Sequence, residues 1–199
     1  MLGAGLHGHG GLDPQASFKI IELYVLPTLL YGLEAVILRK KDIMKIEQFY
    51  KNLLRQIQSL PRNTANEAIY MMIGSITLEG HLHLRILSLF GAITRLDSHN
   101  PLNQLAKRQL SLSIKNSWFT YARNIAELYD IDVYDAINSP PSKEEWKKYC
   151  RESIVNRQWS NLLSASKSKS TLVNLMTDIN RSPHHIWPVS YTHLDAADD

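Results

Sequence analysis

The chain has 199 residues, 44% hydrophobic and 21% charged, which is the composition of a globular protein able to bury one large or two small cores. Its single cysteine, Cys150, excludes an internal disulfide framework and a zinc site built from cysteine pairs, and favours a reducing compartment. The formal net charge is +3, yet Asp195, Asp198 and Asp199 crowd the last five positions, so the rest of the chain is more basic than the total implies.

Residues 1-12 read as a Gly/His-rich loop, because five of the nine glycines fall there and such a run holds a helix only at a high entropic cost. His7 and His9 have no third ligand at a suitable spacing, so a flexible loop is preferred to a metal site. No basic region leads into an apolar one, so this stretch is not read as a signal peptide, and no address is visible.

Asp13-Pro14 starts a helix: the carboxylate accepts from free first-turn amides, and Pro at the first position gives up nothing. The helix runs through Phe18, Ile21, Tyr24 and Val25 to Pro27, where the missing donor predicts a kink or break. A second segment is expected over Thr28 to Ile37. A membrane span over Ile20 to Leu38 would need roughly 20 apolar residues, and Glu22, Glu34 and Pro27 argue against it. After the basic turn Arg39-Lys40-Lys41, Asp42 is expected to cap a helix over Ile43 to Ile57 that Pro61 ends. In it Ile43, Ile46, Tyr50, Leu53, Leu54 and Ile57 recur at helical spacing, with Lys41, Lys45, Lys51, Asn52 and Arg55 on other faces. Seven basic residues (Arg39, Lys40, Lys41, Lys45, Lys51, Arg55 and Arg62) stand against Asp42 and Glu47. This excess suggests a polyanionic partner; on charge alone, a solvated helix face beside a charged turn is the preferred account.

Thr64-Ala65-Asn66-Glu67 fits a capping box for a short helix over Ala65 to Ile73, which stops at Gly74. Thr77 is placed to cap the next helix, with a stripe of Leu82, Ile86, Leu89, Phe90 and Ile93 opposite Arg85 and Arg95. Asp97-Ser98-His99-Asn100-Pro101 reads as a turn that opens another helix with Pro at its first position. Ile114, Trp118, Tyr121, Ile125 and Leu128 form an apolar seam, in which Trp118 and Tyr121 are read as core rather than stacking platforms. One short helix is expected within Asp130 to Asn138, then a boundary at Ser139-Pro140-Pro141 and a second capping box at Ser142-Lys143-Glu144-Glu145. The following helix carries Trp146, Cys150, Ile154, Val155, Trp159 and Leu162. Ser164 to Ser170 reads as a loop before a helix over Thr171 to Ile179. No alternating strand pattern and no fixed-period repeat is present, so the expected fold is all-α, an irregular helical bundle or bundles.

The run Tyr24-Val25-Leu26-Pro27-Thr28-Leu29-Leu30-Tyr31-Gly32-Leu33-Glu34 resembles the region just after the polymerase palm in reverse transcriptases of non-LTR (LINE-type) retrotransposons. There a V-x-P-x-L-x-Y-G-x-E helix precedes a basic helix ending in a pattern similar to Leu53-Leu54-Arg55-Gln56-Ile57-Gln58-Ser59-Leu60-Pro61. Gly3-Ala4-Gly5-Leu6-His7-Gly8, Ala68-Ile69-Tyr70-Met71-Met72-Ile73-Gly74, Lys143 to Trp159 and Lys167 to Leu175 also resemble jockey-like elements of animals. The resemblance covers Leu2 to Trp187 and is most specific over Leu12 to Arg95. It implies a thumb-like helical domain over 13-96, a helical linker over 97-139 and a C-terminal helical segment over 140-188. The implied partners are an RNA/DNA template-primer duplex, gripped by the basic residues Arg39 to Arg62 without base preference, and the rest of the polymerase. The parent enzyme would need two Mg ions held by palm carboxylates in an aromatic-Ala-Asp-Asp motif upstream of this region. This fragment is therefore expected to hold no cofactor and to be inactive alone. Ala196-Ala197-Asp198-Asp199 lies at the wrong end and lacks the aromatic, so it is rejected as that motif. Residues 189-199 instead resemble a translated sequencing adapter and are expected to carry no biology.

Other chemistry is discounted. His81 and His83 point to different sides of a helix, and neither that pair nor His184-His185 is read as a metal site. Glu144 and Glu145 are adjacent rather than facing, and Cys150 shares its face with Trp146 and Ile154. The alternative to nucleic-acid binding is a helical protein-interaction module that docks a partner on the apolar faces of Tyr24 to Leu38. No membrane partner is expected.

Overall fold

The computed structural model describes residues 12 to 169 together with Leu172, and every regular element among them is helical, as the sequence predicts. The elements are α1 (Pro14–Ile20), a π-helical turn (Ile21–Val25), α2 (Leu26–Leu29), a 3-10 turn (Leu33–Ala35), α3 (Lys40–Ile57) and α4 (Asn66–Ile73). They continue with α5 (Leu78–Thr94), α6 (Pro101–Ser111), α7 (Trp118–Glu127), α8 (Val133–Asn138) and α9 (Lys143–Lys167). The described residues divide into two compact units built from interleaved segments: 12 to 29, Lys41–Leu78 and the chain from Trp159 in the first, Leu30–Lys40 and Glu79–Gln158 in the second.

In the first unit, Asp13 opens α1 as expected, its Oδ1 accepting from the amides of Gln15 and Ala16 at 2.9 and 3.0 Å. Pro27 neither breaks the helix nor stops it. The preceding turn widens to π geometry, with the Leu26 amide reaching back to Ile21, which gives the proline ring room against the turn below. The Tyr24 carbonyl is taken by the Thr28 hydroxyl at 2.8 Å. The helix predicted over Thr28 to Ile37 is not present: α2 ends at Leu29, Gly32 adopts a left-handed φ of 75°, and Val36 is extended. A left-handed residue cannot continue a right-handed helix, and Gly32 takes that conformation without a Cβ penalty.

The apolar arc of α3 buries Tyr50, Leu53, Leu54 and Ile57. The helix begins three residues earlier than predicted, at Lys40, so Asp42 lies in the first turn instead of capping it. There its charge still favours the helix N-terminus. At the other end Leu60 N–H bonds Arg55 O (2.9 Å) and Ser59 N–H bonds Gln56 O (3.2 Å), a Schellman closure with Ser59 left-handed at φ 51°. Gln58 is buried and donates to both Leu54 O and Ile69 O at 3.0 Å, tying α3 to α4. The capping box expected at Thr64 does not form. Ala65 occupies the cap position without a side-chain bond, the Thr64 carbonyl accepts from Arg55, and the Glu67 carboxylate pairs with Lys169. The tertiary ion pair has taken the side chain that the local motif required. α9 continues to Lys167, replacing the loop predicted from Ser164. Ser164, Ser166 and Ser168 each donate to a carbonyl three residues back, at 3.0, 2.8 and 2.8 Å, so their hydroxyls stay within the helical register.

In the second unit α9 is held on α5 by Trp146, whose indole N–H donates to Leu87 O at 2.7 Å while its ring lies 6.3 Å from that of Phe90. Gly91 makes the approach possible: a Cβ there would meet Trp146 Cδ1 and Nε1 at 2.2 Å. The C-terminus of α5 is closed by the buried Asn103 amide, which donates to Thr94 O and Leu96 O at 3.1 and 3.0 Å. Asn100 caps α6 with Pro101 behind it, and Ser142 and Glu145 form the predicted capping box of α9, at 3.0 and 3.2 Å. The seam predicted on α7 is rotated by one position. Phe119, Ala122, Ile125 and Ala126 are buried, Trp118 and Tyr121 are half-buried, and Ile114 and Leu128 are exposed. Ser117 starts the helix after Ile114, so Ile114 lies outside it, and the Trp118 indole turns aside to donate to Glu34 O at 2.8 Å. Arg85 pairs with Glu34 at 3.3 Å. Cys150 is buried as expected, and burial pushes its thiol up to about 12.

Candidate nucleic-acid interface

The seven basic positions are not equivalent. Arg39 and Lys40 belong to the second unit, while Lys41, Lys45, Lys51, Arg55 and Arg62 belong to the first. Within α3 the side chains follow one another at about 100° per residue. Lys41 and Lys45 therefore share one exposed face, with Lys51 and Arg55 further round the same polar arc, opposite the buried one.

Two of these residues do structural work. Arg55 donates to Asn52 Oδ1 and Asn66 Oδ1, both at 3.1 Å, and to the Thr64 carbonyl, so it joins α3 to the start of α4. Lys51 is half-buried, and its charge acts on Glu67. Burial alone would push the Glu67 carboxyl up. The hydrogen bond from Lys169, the local backbone and the charges of Lys169 and Lys51 outweigh it, so the net direction is down. By contrast, Lys41 and Lys45 are exposed and form no ion pair among the described residues. Arg62 is exposed in the turn after α3.

Lys40 and Lys41 sit in the first turn of α3, where the helix dipole disfavours cations. Helix stability therefore does not account for their charge. The acidic Glu47 is drawn off the basic face by Tyr70, whose hydroxyl donates to its carboxylate. Burial, and then this carboxylate, push the Tyr70 phenol upward. Two apolar side chains escaped the sequence reading: Met44 is 62% exposed and Phe49 49% exposed, both outside the apolar arc of their own helix. The signal was available, since Phe49 lies four residues after Lys45, a neighbouring position on a helix surface.

Elsewhere the second unit contains a cleft lined by Asp132, Asp135, Glu145, Trp146 and Tyr149. Two of its carboxylates are already committed to caps, Asp132 to the amides of Tyr134 and Asp135 and Glu145 to that of Ser142. His83 is buried, with Nδ1 2.8 Å from the Tyr129 hydroxyl, which also accepts from Gln158 at 3.2 Å. Burial lowers His83 to about 4, which favours the neutral imidazole. Among the described residues no cluster of three or more His, Cys, Asp or Glu is placed to hold a metal ion, and no helix is long and apolar enough to cross a membrane. His7, His9, His184, His185 and residues 189-199 lie outside the described residues. No family model, curated protein or solved structure matches this chain.

Proposed function

We propose that this chain is a non-catalytic helical part of a non-LTR retrotransposon reverse transcriptase, in which α3 grips the phosphate backbone of a template-primer duplex without reading its bases. The observation that carries this reading is the exposed Lys41–Lys45 face of an amphipathic helix whose opposite face buries Tyr50, Leu53, Leu54 and Ile57. Cations placed where they do nothing for the fold are available to a polyanion, and each phosphate neutralised adds about 0.9 to the salt dependence of binding. The reaction itself is assigned to the palm of the parent polymerase, with this region positioning nucleic acid for it.

The test is fluorescence anisotropy on a blunt RNA/DNA hybrid across a salt series. The paired substitution Lys41→Glu and Lys45→Glu is expected to weaken binding and flatten the log–log salt slope by about two. Arg55 is a poor choice for this test, because its side chain also joins α3 to α4, and Lys51 is half-buried with its charge acting on Glu67. An unchanged isotherm would sink the proposal. A second reading, a protein-interaction module, is favoured by the exposure of Leu23 and Tyr24 in one unit and of Tyr31, Val36 and Ile37 in the other. Capture of a protein partner that survives high salt and ignores the lysine changes would support that reading instead.

A further inference from the structure

Lys41, Lys45 and Phe49 are successive positions four apart on α3, so they rise along one ridge at intervals of about 6 Å, turning by about 40° at each step. All three are exposed and lie in the first unit. One flank of the ridge is a connected polar row: Gln48 Nε2 donates to Asn52 Oδ1 at 3.0 Å, and Arg55 donates to the same oxygen. This row fixes the side chains next to the ridge without occupying its cations. Phe49 lies outside the buried arc of Tyr50, Leu53, Leu54 and Ile57 and leaves about half of its surface, 49%, open to solvent.

A duplex presents phosphates outward and bases inward, so it would use the lysines and leave an exposed phenyl ring in water. A single strand presents both phosphates and aromatic base faces. The axial interval of the ridge is comparable to the separation of neighbouring phosphates on one strand, and a ring beside two cations is the pairing that sequence-tolerant single-strand binding requires. We infer that the Lys41–Lys45–Phe49 ridge takes a single-stranded stretch of nucleic acid, the two ammonium groups on consecutive phosphates and the Phe49 ring stacked on an unpaired base. This inference rests on the reading of α3 as the polyanion-binding face and narrows the ligand of this ridge from the paired duplex to an unpaired stretch of one of its strands.

The experiment titrates the full chain with a uridine 20-mer, an abasic strand of the same length and charge, and a blunt hybrid duplex, using fluorescence anisotropy. The wild type is expected to bind the uridine strand more tightly than the abasic one. Phe49→Ala and Phe49→Leu should each weaken uridine-strand binding about 5- to 100-fold, the range for loss of one base stack, and leave the abasic strand and the duplex unchanged. The leucine variant keeps the apolar bulk and removes only the aromatic face. Unchanged uridine binding in both variants, with the Lys41→Glu and Lys45→Glu effect intact, overturns the stacking inference alone. No lysine effect on any probe overturns the phosphate reading and this inference with it. If both Phe49 variants unfold by circular dichroism, the ring is a packing residue and the inference fails. Loss of anionic-vesicle binding in the Phe49 variants, with all oligonucleotides unaffected, overturns it in favour of a lipid surface.

Discussion

Ser59, Ser113 and Asp130 all adopt positive φ, at 51°, 48° and 58°. Each sits where a Schellman closure requires a left-handed residue: Leu60, Ile114 and Ile131 bond back to Arg55, Gln109 and Ala126 at 2.9, 3.3 and 3.1 Å. Gly74 fills the same position after α4 at φ 73°, without a side chain to strain. A left-handed L-residue costs about 1–2 kcal/mol, while glycine loses more backbone entropy on folding, about 0.5–1 kcal/mol. Ser59→Gly is therefore expected to stabilise the protein by about 0.5–1 kcal/mol, read as a raised urea midpoint with an unchanged m-value. A lowered midpoint would show that the exposed serine hydroxyl contributes more than the strain costs. The sequence marked Gly74 as a stop, but it could not mark Ser59, because serine has no preference strong enough to reveal a left-handed turn.

At the scale of elements, the attachment of α9 to α5 reverses an ordinary rule. Replacing a mid-helix glycine by alanine normally stabilises a helix by about 1 kcal/mol. At Gly91 the added Cβ would meet the Trp146 ring at 2.2 Å, and that ring is held by its bond to Leu87 O. Gly91→Ala is expected to destabilise by about 1–3 kcal/mol, the usual cost of overpacking. In a Trp146→Leu background the same change should cost much less, and thermal denaturation of the four proteins in the cycle measures the coupling. Additive effects would mean that the two residues do not meet as described. The periodicity of α9 placed Trp146 on the inner face, and the capping box at Ser142 was legible because both of its members remain free for it. The box at Thr64 was equally well formed in sequence and did not close, since Glu67 is claimed by Lys169, 102 positions away.

At the scale of the whole molecule, two histidines of the second unit, His83 buried and His81 half-buried, make stability depend on pH. Burial, joined by the Arg151 charge, lowers His81 to about 4, and burial lowers His83 to about 4, against an ordinary value of 6.5. Between those limits the unfolded chain takes up protons and the folded one does not. The stability present at neutral pH is therefore lost progressively as the pH falls from about 6.5 to about 4, by on the order of 3 kcal/mol per histidine at most. Melting temperature should fall steadily from pH 7 to pH 4.5, and His83→Gln, which does not titrate, should flatten that slope. A melting temperature constant across this range would contradict the burial of both rings.

The helical class, most helix positions and the buried face of α3 were determined by sequence alone, because apolar spacing is a local property and the partner surface hardly alters it. The same spacing located the basic face that forms the candidate site. Only the tertiary structure decided which charges on that face remain available. Arg55 is hydrogen-bonded to the start of α4, Lys51 is half-buried with its charge acting on Glu67, Glu47 accepts from Tyr70, and Lys41, Lys45 and part of Phe49 are left in solvent. It also decided that the chain stays helical through Pro27 and stops at Gly32, since a π turn can absorb a missing donor whereas a left-handed residue cannot be passed through. These outcomes depend on side chains competing for the same partners, and a sequence read position by position carries no record of who wins.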